Sequence, residues 1–256
     1  MSIRMNDIFK LPEKALAGDR RIPKTKLVEQ AALTKHEQKV LDKVKRLEHC
    51  ATVQKSTTKM LPRVDDEHDI QGIIFLRCEM AGTSEAYAEV GRLLHKCFPN
   101  PTVILFDGGA SCCISASVTR KSYAERGATV IELIESSGAF GRDDRGYAGF
   151  LDALAFAKLS QEDLLRYLEA IVWNIRLSRT VPALGFFPSC PEVSRQRLIE
   201  AVGRHDSLRA SIKDIEEKRR DKEISLNDAM KLRMELKRIR KECDSVAQEI
   251  KEICNG

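Results

Sequence analysis

Two adjacent glycines follow a short apolar run, which is where a phosphate-binding loop would be sought. The run is "TVILF", and the glycines are Gly108 and Gly109. A phosphate loop needs a helix directly after its glycines, so that amide donors and the helix dipole converge on the anion. The following "ASCCISASVTRK" instead alternates with a period of two, which indicates a half-buried strand. Asp107 and Gly108 therefore predict a β-hairpin turn, and no cofactor is expected.

Acidic residues at strand ends are the second candidates for chemistry. Asp107 and Glu79 end two predicted strands, where carboxylates could hold a divalent metal. Nothing nearby in the sequence completes a ligand set. The E-x-K pairs that metal-dependent nucleases place on strands all fall on predicted helices here: Glu37–Lys39, Glu216–Lys218, Glu235–Lys237 and Glu249–Lys251. We predict no catalytic residue and no metal ligand, and keep a diverged metal-dependent nuclease as the alternative function.

The eight cysteines and five histidines show no spacing typical of a zinc site. No cysteine pair is spaced C-x-x-C, and His95 and Cys97 do not share a face of their predicted helix. Cys112 and Cys113 point to opposite faces of a predicted strand. Scattered cysteines, with no apolar leader and no membrane-length run, predict a cytoplasmic protein without a membrane partner.

The elements that position these residues predict an α+β fold. Before the sheet, "LPEKALAGD" is predicted helical, and Pro23 begins a second helix. Thr34 and Glu37 have the spacing of a capping box, which predicts a third helix running to Cys50. Residues 51–69 are predicted as a loop with at most a short strand.

A small, largely antiparallel sheet packed with helices is predicted next. Its strands are "IQGIIFLRCEM", "TVILF", "ASCCISASV" and "ATVIELI", with a helix capped by Thr83 or Ser84 between the first two. We assign residues 1–145 to this α/β domain. Residues 146–190 are predicted to form a helical connector, because apolar positions in "QEDLLRYLEAIVWNIRLSR" recur at helical spacing.

Residues 191–256 have the clearest pattern in the chain. Apolar positions alternate at spacings of three and four, which is the seam of a coiled coil. The first seam is Leu198, Ala201, His205, Leu208, Ile212 and Ile215, and the second is Ala229, Leu232, Leu236, Ile239, Cys243, Val246, Ile250 and Ile253. "DKEISLND" separates them, and Ser225 has the spacing of a helix cap. We predict an antiparallel coiled-coil hairpin.

Basic residues are dense on the second of these helices and lie outside its seam. The formal net charge of the 256-residue chain is +5, which permits nucleic-acid binding without requiring it. The candidate surface for a protein partner or a nucleic acid is Arg233, Lys237, Arg238, Arg240 and Lys241.

Several segments resemble a bacterial family known only as a domain of unknown function. They are the "IPK" opening of "RIPKTKLVEQAALTKHEQKVL", the strand "GIIFLRCEM", the helix end "LLHKCFPNPTVILF", the strand "SASVTRK" and the charged helical C-terminus. The residues that match the family motifs are Ile22, Pro23, Lys24, His95, Lys96 and Pro101. Where many relatives carry an aromatic residue, this sequence has His49 and Cys50.

The resemblance implies a setting and no reaction, because no family position has an assigned chemistry. Genes of that family tend to lie beside DNA methyltransferases and helicases in phage-defence islands. By that analogy we expect a non-enzymatic accessory or adaptor subunit of an antiviral defence or DNA-modification complex. Its expected partner is a helicase, a DNA methyltransferase or both, with direct binding of DNA or RNA as a further candidate and the oligomeric state left open.

Overall fold

The computed structural model describes residues 3–81, 86–125, 127–190, 192–219 and 225–255. Its strands are β1 (Leu16–Arg21), β2 (Val44–Gln54), β3 (Arg63–Val64), β4 (Asp69–Ile70), β5 (Gly72–Met80), β6 (Thr102–Asp107), β7 (Ser111–Lys121), β8 (Thr129–Ser136) and β9 (Phe140–Gly141). Its α-helices are α1 (Met5–Phe9), α2 (Lys24–Gln30), α3 (Lys35–Asp42), α4 (Lys55–Thr58), α5 (Tyr87–Lys96), α6 (Ala148–Ala153), α7 (Leu164–Ser178), α8 (Val181–Leu184), α9 (Arg195–Lys218) and α10 (Leu226–Asn255).

A mixed sheet dominates the first part of the chain. Its strand order is β1-β2-β5-β6-β7-β8, with β9 beside β7, while β3 and β4 form a separate two-stranded ribbon. β5 and β6 are parallel and are joined through α5, whereas the other neighbouring strands of this sheet are antiparallel. The predicted α+β class with a largely antiparallel sheet is therefore confirmed.

Helices cover both faces of the sheet. Side chains from α2, α3 and α5 share one apolar cluster with one face of β2, β5 and β6. On the opposite face, Phe9 of α1 contacts Phe75 of β5 with ring centroids 5.1 Å apart, and α7 packs on β7. Every residue of β6 is buried, as the unbroken apolar run predicts for a strand covered on both sides.

The glycine pair forms the turn that the sequence predicts. β6 and β7 are antiparallel, with Asp107 opposite Cys112, and Gly109 has a φ of +84° in the left-handed region. A Cβ on Gly108 would clash with Tyr87 Oη. Glycine is therefore required at 109 by backbone conformation and at 108 by close packing.

Two predictions near the N-terminus are wrong. The segment predicted as a helix before Gly18 holds a short 3₁₀ turn and then β1, an exposed edge strand. The helix expected to reach Cys50 ends at Asp42, and β2 follows, so residues 51–54 are strand as well. Register shifts in β2 interrupt the two-residue alternation, which leaves buried positions at a spacing that resembles a helix.

The chain divides into two compact units, residues 1–179 and 180–256. The finer division at 145 and 190 stays a prediction. In the second unit α9 and α10 bury most positions of both predicted seams, and Leu236 and Ile239 share a cluster with Ile215. The Ser225 cap is confirmed, since its hydroxyl accepts a hydrogen bond from the Asp228 amide at 3.1 Å. The predicted Thr83 or Ser84 cap and residues 220–224 lie outside the described residues.

Across the described ranges, no helix combines the length and the apolar character needed to cross a membrane.

Candidate functional site

His95 is a family-motif residue that is buried in the interior. Its side chain is 1% exposed and lies between α5 and the sheet. Nδ1 contacts Thr102 Oγ1, and Nε2 lies 2.8 Å from Ser115 Oγ. Burial lowers the pKa of His95 to about 3, so the imidazole is neutral at physiological pH.

The hydrogen bonds around His95 fix its tautomer. Ser115 Oγ donates to the Glu135 carbonyl at 2.9 Å, so it must accept from Nε2–H of His95. Nδ1 then accepts from the Thr102 hydroxyl, which lies 3.2 Å from Ser117 Oγ. A histidine that donates to a serine cannot take a proton from it. The arrangement therefore joins α5 to β6 and β7 and does not activate Ser115 as a nucleophile.

The other motif residues hold the backbone or lie at the surface. Ile22 packs against the sheet cluster, and its amide donates to the Leu47 carbonyl at 2.8 Å. Pro23 is the N-cap of α2, and Lys24 is its first residue, as predicted. Ile22 therefore joins the segment before α2 to β2, and Pro23 and Lys24 begin the helix.

Lys96 and Pro101 lie at the two ends of the connection from α5 to β6. Lys96 makes an exposed ion pair with Glu37 of α3 at 2.7 Å. The buried Pro101 accepts a hydrogen bond from the Ile74 amide at 3.0 Å. The structure thus brings the motif positions to two places, the start of α2 and the α5–β6 connection.

A network of buried ion pairs crosses the sheet on the face covered by α1 and α7. Arg77 lies between two carboxylates, with Nη1 3.0 Å from Glu48 Oε2 and Nη2 2.6 Å from Asp107 Oδ2. Arg142 also contacts Asp107. Burial opposes ionisation of Asp107, but the hydrogen bonds from Arg77 and the Gly109 amide, with Arg142, outweigh it and lower the pKa of this carboxyl. The carboxylate is therefore held charged.

Glu79 and Asp107 are neighbours, as their positions at strand ends allow. They are register partners at the carboxyl ends of the parallel strands β5 and β6. Glu79 Oε1 pairs with Lys45 Nζ at 2.6 Å. With Arg77 and Arg142 these residues line an open cleft of about 670 Å³. Both carboxylates are thus bound to cations of the chain itself.

Sequence reasoning found the two carboxylates at the strand ends and missed the arginines. One signal was present: Arg77 and Glu79 are two residues apart on one strand and share a face. Arg142 comes from a distant loop, and no local pattern connects it to Asp107.

The backbone amides of the glycine turn donate hydrogen bonds to acceptors within the turn itself. Gly108 donates to the Ser111 carbonyl at 3.0 Å, and Gly109 donates to Asp107 Oδ1 at 3.0 Å. The Ala110 amide bonds the Gly108 carbonyl at 3.2 Å. A phosphate would find these donors already used.

Burial makes the two cysteines of β7 and Cys97 at the end of α5 poor nucleophiles. It raises the pKa values of Cys112 and Cys113, and it raises that of Cys97 to about 11. Among the side chains that the structure describes, no three His, Cys, Asp or Glu residues converge in a way that could hold a metal ion.

The predicted basic surface lies on the exposed side of α10. All five of its residues, Arg233, Lys237, Arg238, Arg240 and Lys241, are exposed. Arg240 pairs with Glu216 of α9 at 2.6 Å. Four of the five join Arg219 and Asp244 along a groove of about 510 Å³ whose apolar floor is Leu236. The groove presents cations beside one acidic residue, so it suits an anionic partner.

The fold and these sites define an α+β protein with an internally paired ion network and a basic helical surface. The chain belongs to the family described as "Domain of unknown function (DUF4391)", which matches residues 9–243. No curated protein and no solved structure matches the chain significantly.

Proposed function

We propose that this chain is a non-enzymatic adaptor subunit that acts by protein–protein contact in a bacterial anti-phage defence or DNA-modification complex. The observation that carries the proposal is the exposed basic surface of α10, whose residues lie outside the packed seam and beside the seam residue Leu236. The expected partner is a helicase or DNA methyltransferase, by the genomic setting that the family resemblance implies.

The state of the polar groups in residues 1–179 supports a non-catalytic role. The His95 imidazole is bound on both sides by hydroxyl groups, and Asp107 and Glu79 are bound to cations. Catalysis by general acid and base needs a group whose pKa lies near the working pH. Burial moves the pKa of His95 far below that range, and the arginines lower the pKa of Asp107.

Two ion pairs between α9 and α10 support the finer proposal of an antiparallel coiled-coil hairpin. Arg204 pairs with Glu249 at 2.7 Å, and Glu216 pairs with Arg240 at 2.6 Å. The residue number rises along α9 from one pair to the next and falls along α10, which is the order expected for opposed helices. In such a hairpin the apolar seam residues of the two helices pack against one another, and the outer faces are free to contact a partner.

Charge reversal in the full-length chain tests the adaptor proposal. The variant carries Arg233→Glu, Lys237→Glu, Arg240→Glu and Lys241→Glu, and the tagged protein is purified from its own host. We expect the wild type to retain a methyltransferase or helicase of its host and the variant to lose it. Surface changes of this kind usually alter stability by less than about 0.5 kcal/mol each, so circular dichroism should show an intact fold.

A matched control separates the surface from the net charge. Lys14, Lys26, Lys35 and Lys39 are exposed in residues 1–179, and their reversal to Glu changes the total charge equally. This control should keep the partner. Retention of the partner by the α10 variant contradicts the adaptor proposal, and so does cleavage or modification of DNA by the purified chain alone.

The alternative, a diverged metal-dependent nuclease, would require the two carboxylates at the strand ends to bind a metal ion. Glu79 and Asp107 would have to release Lys45 and two arginines before they could hold a divalent ion. Metal-dependent DNA cleavage that Asp107→Asn and Glu79→Gln both abolish would establish this alternative.

A further inference from the structure

Two methionines on α10 lie outside the helical seam and are exposed, although their side chains are apolar. Met230 is 60% exposed and Met234 is 73% exposed. They lie four residues apart, so their side chains are neighbours on one face of the helix. Scattered exposed apolar residues are common, but a neighbouring pair beside dense charge marks a candidate contact surface.

Helical geometry places these methionines in line with two lysines. Met230, Met234, Lys237 and Lys241 are spaced at four, three and four residues, which makes a straight stripe along the helix. The buried seam residues Leu236 and Ile239 lie on the opposite side. We call the four stripe residues the docking face. It combines an apolar half with a basic half over three turns of helix.

The charge around the docking face selects the kind of partner. Residues 230–241 contain six Lys or Arg and one Glu, a net of +5, which equals the formal net charge of the whole chain. A second copy that met this surface with its own would bring like charges together, which disfavours self-association. The phosphates of a nucleic acid would satisfy the lysines, but its backbone offers the methionines no apolar contact.

We propose that the docking face binds an acidic amphipathic helix of a partner protein. Apolar residues of that helix, at spacings of three and four, cover Met230 and Met234, and its carboxylates pair with Lys237 and Lys241. Methionine suits such a contact because its long, unbranched side chain adapts to different partner shapes. This inference rests on the adaptor proposal and names the chemistry of the partner segment.

Fluorescence anisotropy with the full-length chain tests the docking face. The probe is a labelled synthetic helix with leucines at spacings of three and four and glutamates at the remaining positions. A scrambled peptide of the same composition and a single-stranded oligonucleotide are the comparison probes. The apolar variant is Met230→Gln with Met234→Gln, since Gln matches Met in length and helix propensity. The basic variant is Lys237→Gln with Lys241→Gln.

Each variant should weaken binding of the amphipathic peptide by about tenfold, and scrambling should weaken it at least as much. The control Leu61→Gln with Val64→Thr also removes two exposed apolar side chains, in residues 1–179, and should bind the peptide like the wild type. Unchanged affinity of the apolar variant, or no binding of the amphipathic peptide, overturns the proposal. Tighter binding of the oligonucleotide, lost in the basic variant alone, identifies a nucleic-acid surface instead.

Co-purification from the host distinguishes failure of this inference from failure of the adaptor proposal. If the apolar variant keeps the methyltransferase or helicase while the four-residue charge reversal loses it, the adaptor proposal stands and the docking face is wrong. If the charge reversal also keeps the partner, the adaptor proposal fails as well.

Discussion

His95 Nε2 donates a hydrogen bond to Ser115 Oγ across 2.8 Å in the interior of the first unit. The acceptor is itself committed to the Glu135 carbonyl, so the ring is held as one neutral tautomer. A second proton on Nδ1 would reverse the hydrogen bond that this nitrogen accepts from the Thr102 hydroxyl, and it would place a charge in the interior.

Acid should destabilise the chain partly through His95. Its folded pKa is about 3, while an unfolded histidine titrates near 6.5. Between those values only the unfolded chain binds the proton, so stability is full above about pH 6.5 and falls as pH falls, by roughly 1.4 kcal/mol per pH unit. His95→Gln should flatten this slope in urea unfolding measured from pH 7 to 4. An unchanged slope in His95→Gln would show that His95 does not cause this pH dependence.

Asp107→Asn should destabilise the fold by about 3 kcal/mol, because it leaves Arg77 and Arg142 without the carboxylate that they share. The matched control is Asp152→Asn. Asp152 pairs with Lys158, but both side chains are more than half exposed, so solvent screens the pair and the expected loss is much smaller. Chemical unfolding at neutral pH compares the two variants. Equal losses would show that the network around Asp107 contributes no more than a surface pair.

Two tyrosine hydroxyls should respond in opposite ways to removal. Tyr167 is fully buried, and its hydroxyl has no hydrogen-bond partner among the described residues. Tyr167→Phe should therefore leave the melting temperature unchanged or raise it. Tyr87 Oη donates to the Ser111 carbonyl at 3.0 Å, so Tyr87→Phe should cost about 1 kcal/mol. A marked loss of stability in Tyr167→Phe would show that its hydroxyl has a partner.

His205 is a polar residue at a buried position of the α9 seam. It is 1% exposed, and neither ring nitrogen has a hydrogen-bond partner within the described ranges. His205→Leu should stabilise the helices by about 1–2 kcal/mol, because it removes unsatisfied buried polar atoms. His205→Gln keeps a polar side chain there and should give no gain. If the leucine variant instead changes its oligomeric state in sedimentation, His205 serves to fix helix register.

The sequence predicts those parts of the fold that depend on local pattern. The buried run of β6, the turn at Gly109 and the Thr34–Glu37 capping box each have a signature within a few residues, and all three are confirmed. The strand β2 has no such local signature, because its conformation comes from pairing with β1 and β5. Its irregular register also hides the alternation.

The candidate site follows the same division. The basic residues of α10 could be placed outside the seam because helical periodicity alone decides which face they occupy. The partnership of Arg77, Asp107 and Arg142 could not be predicted, since it joins two strands and a loop. Met230 and Met234 were also missed as a surface, although the spacing that locates the lysines locates them too.

The concentration of charge on α10 has a consequence for the speed of encounter. Because residues 230–241 carry a net charge equal to that of the whole chain, the remaining residues sum to zero. We therefore expect an approaching acidic molecule to be drawn toward this helix before it touches the protein. Salt should slow that approach, since charges are screened over roughly 8 Å at physiological ionic strength. The methionines act only after contact, so they should set how long the complex lasts and leave the rate at which it forms unchanged.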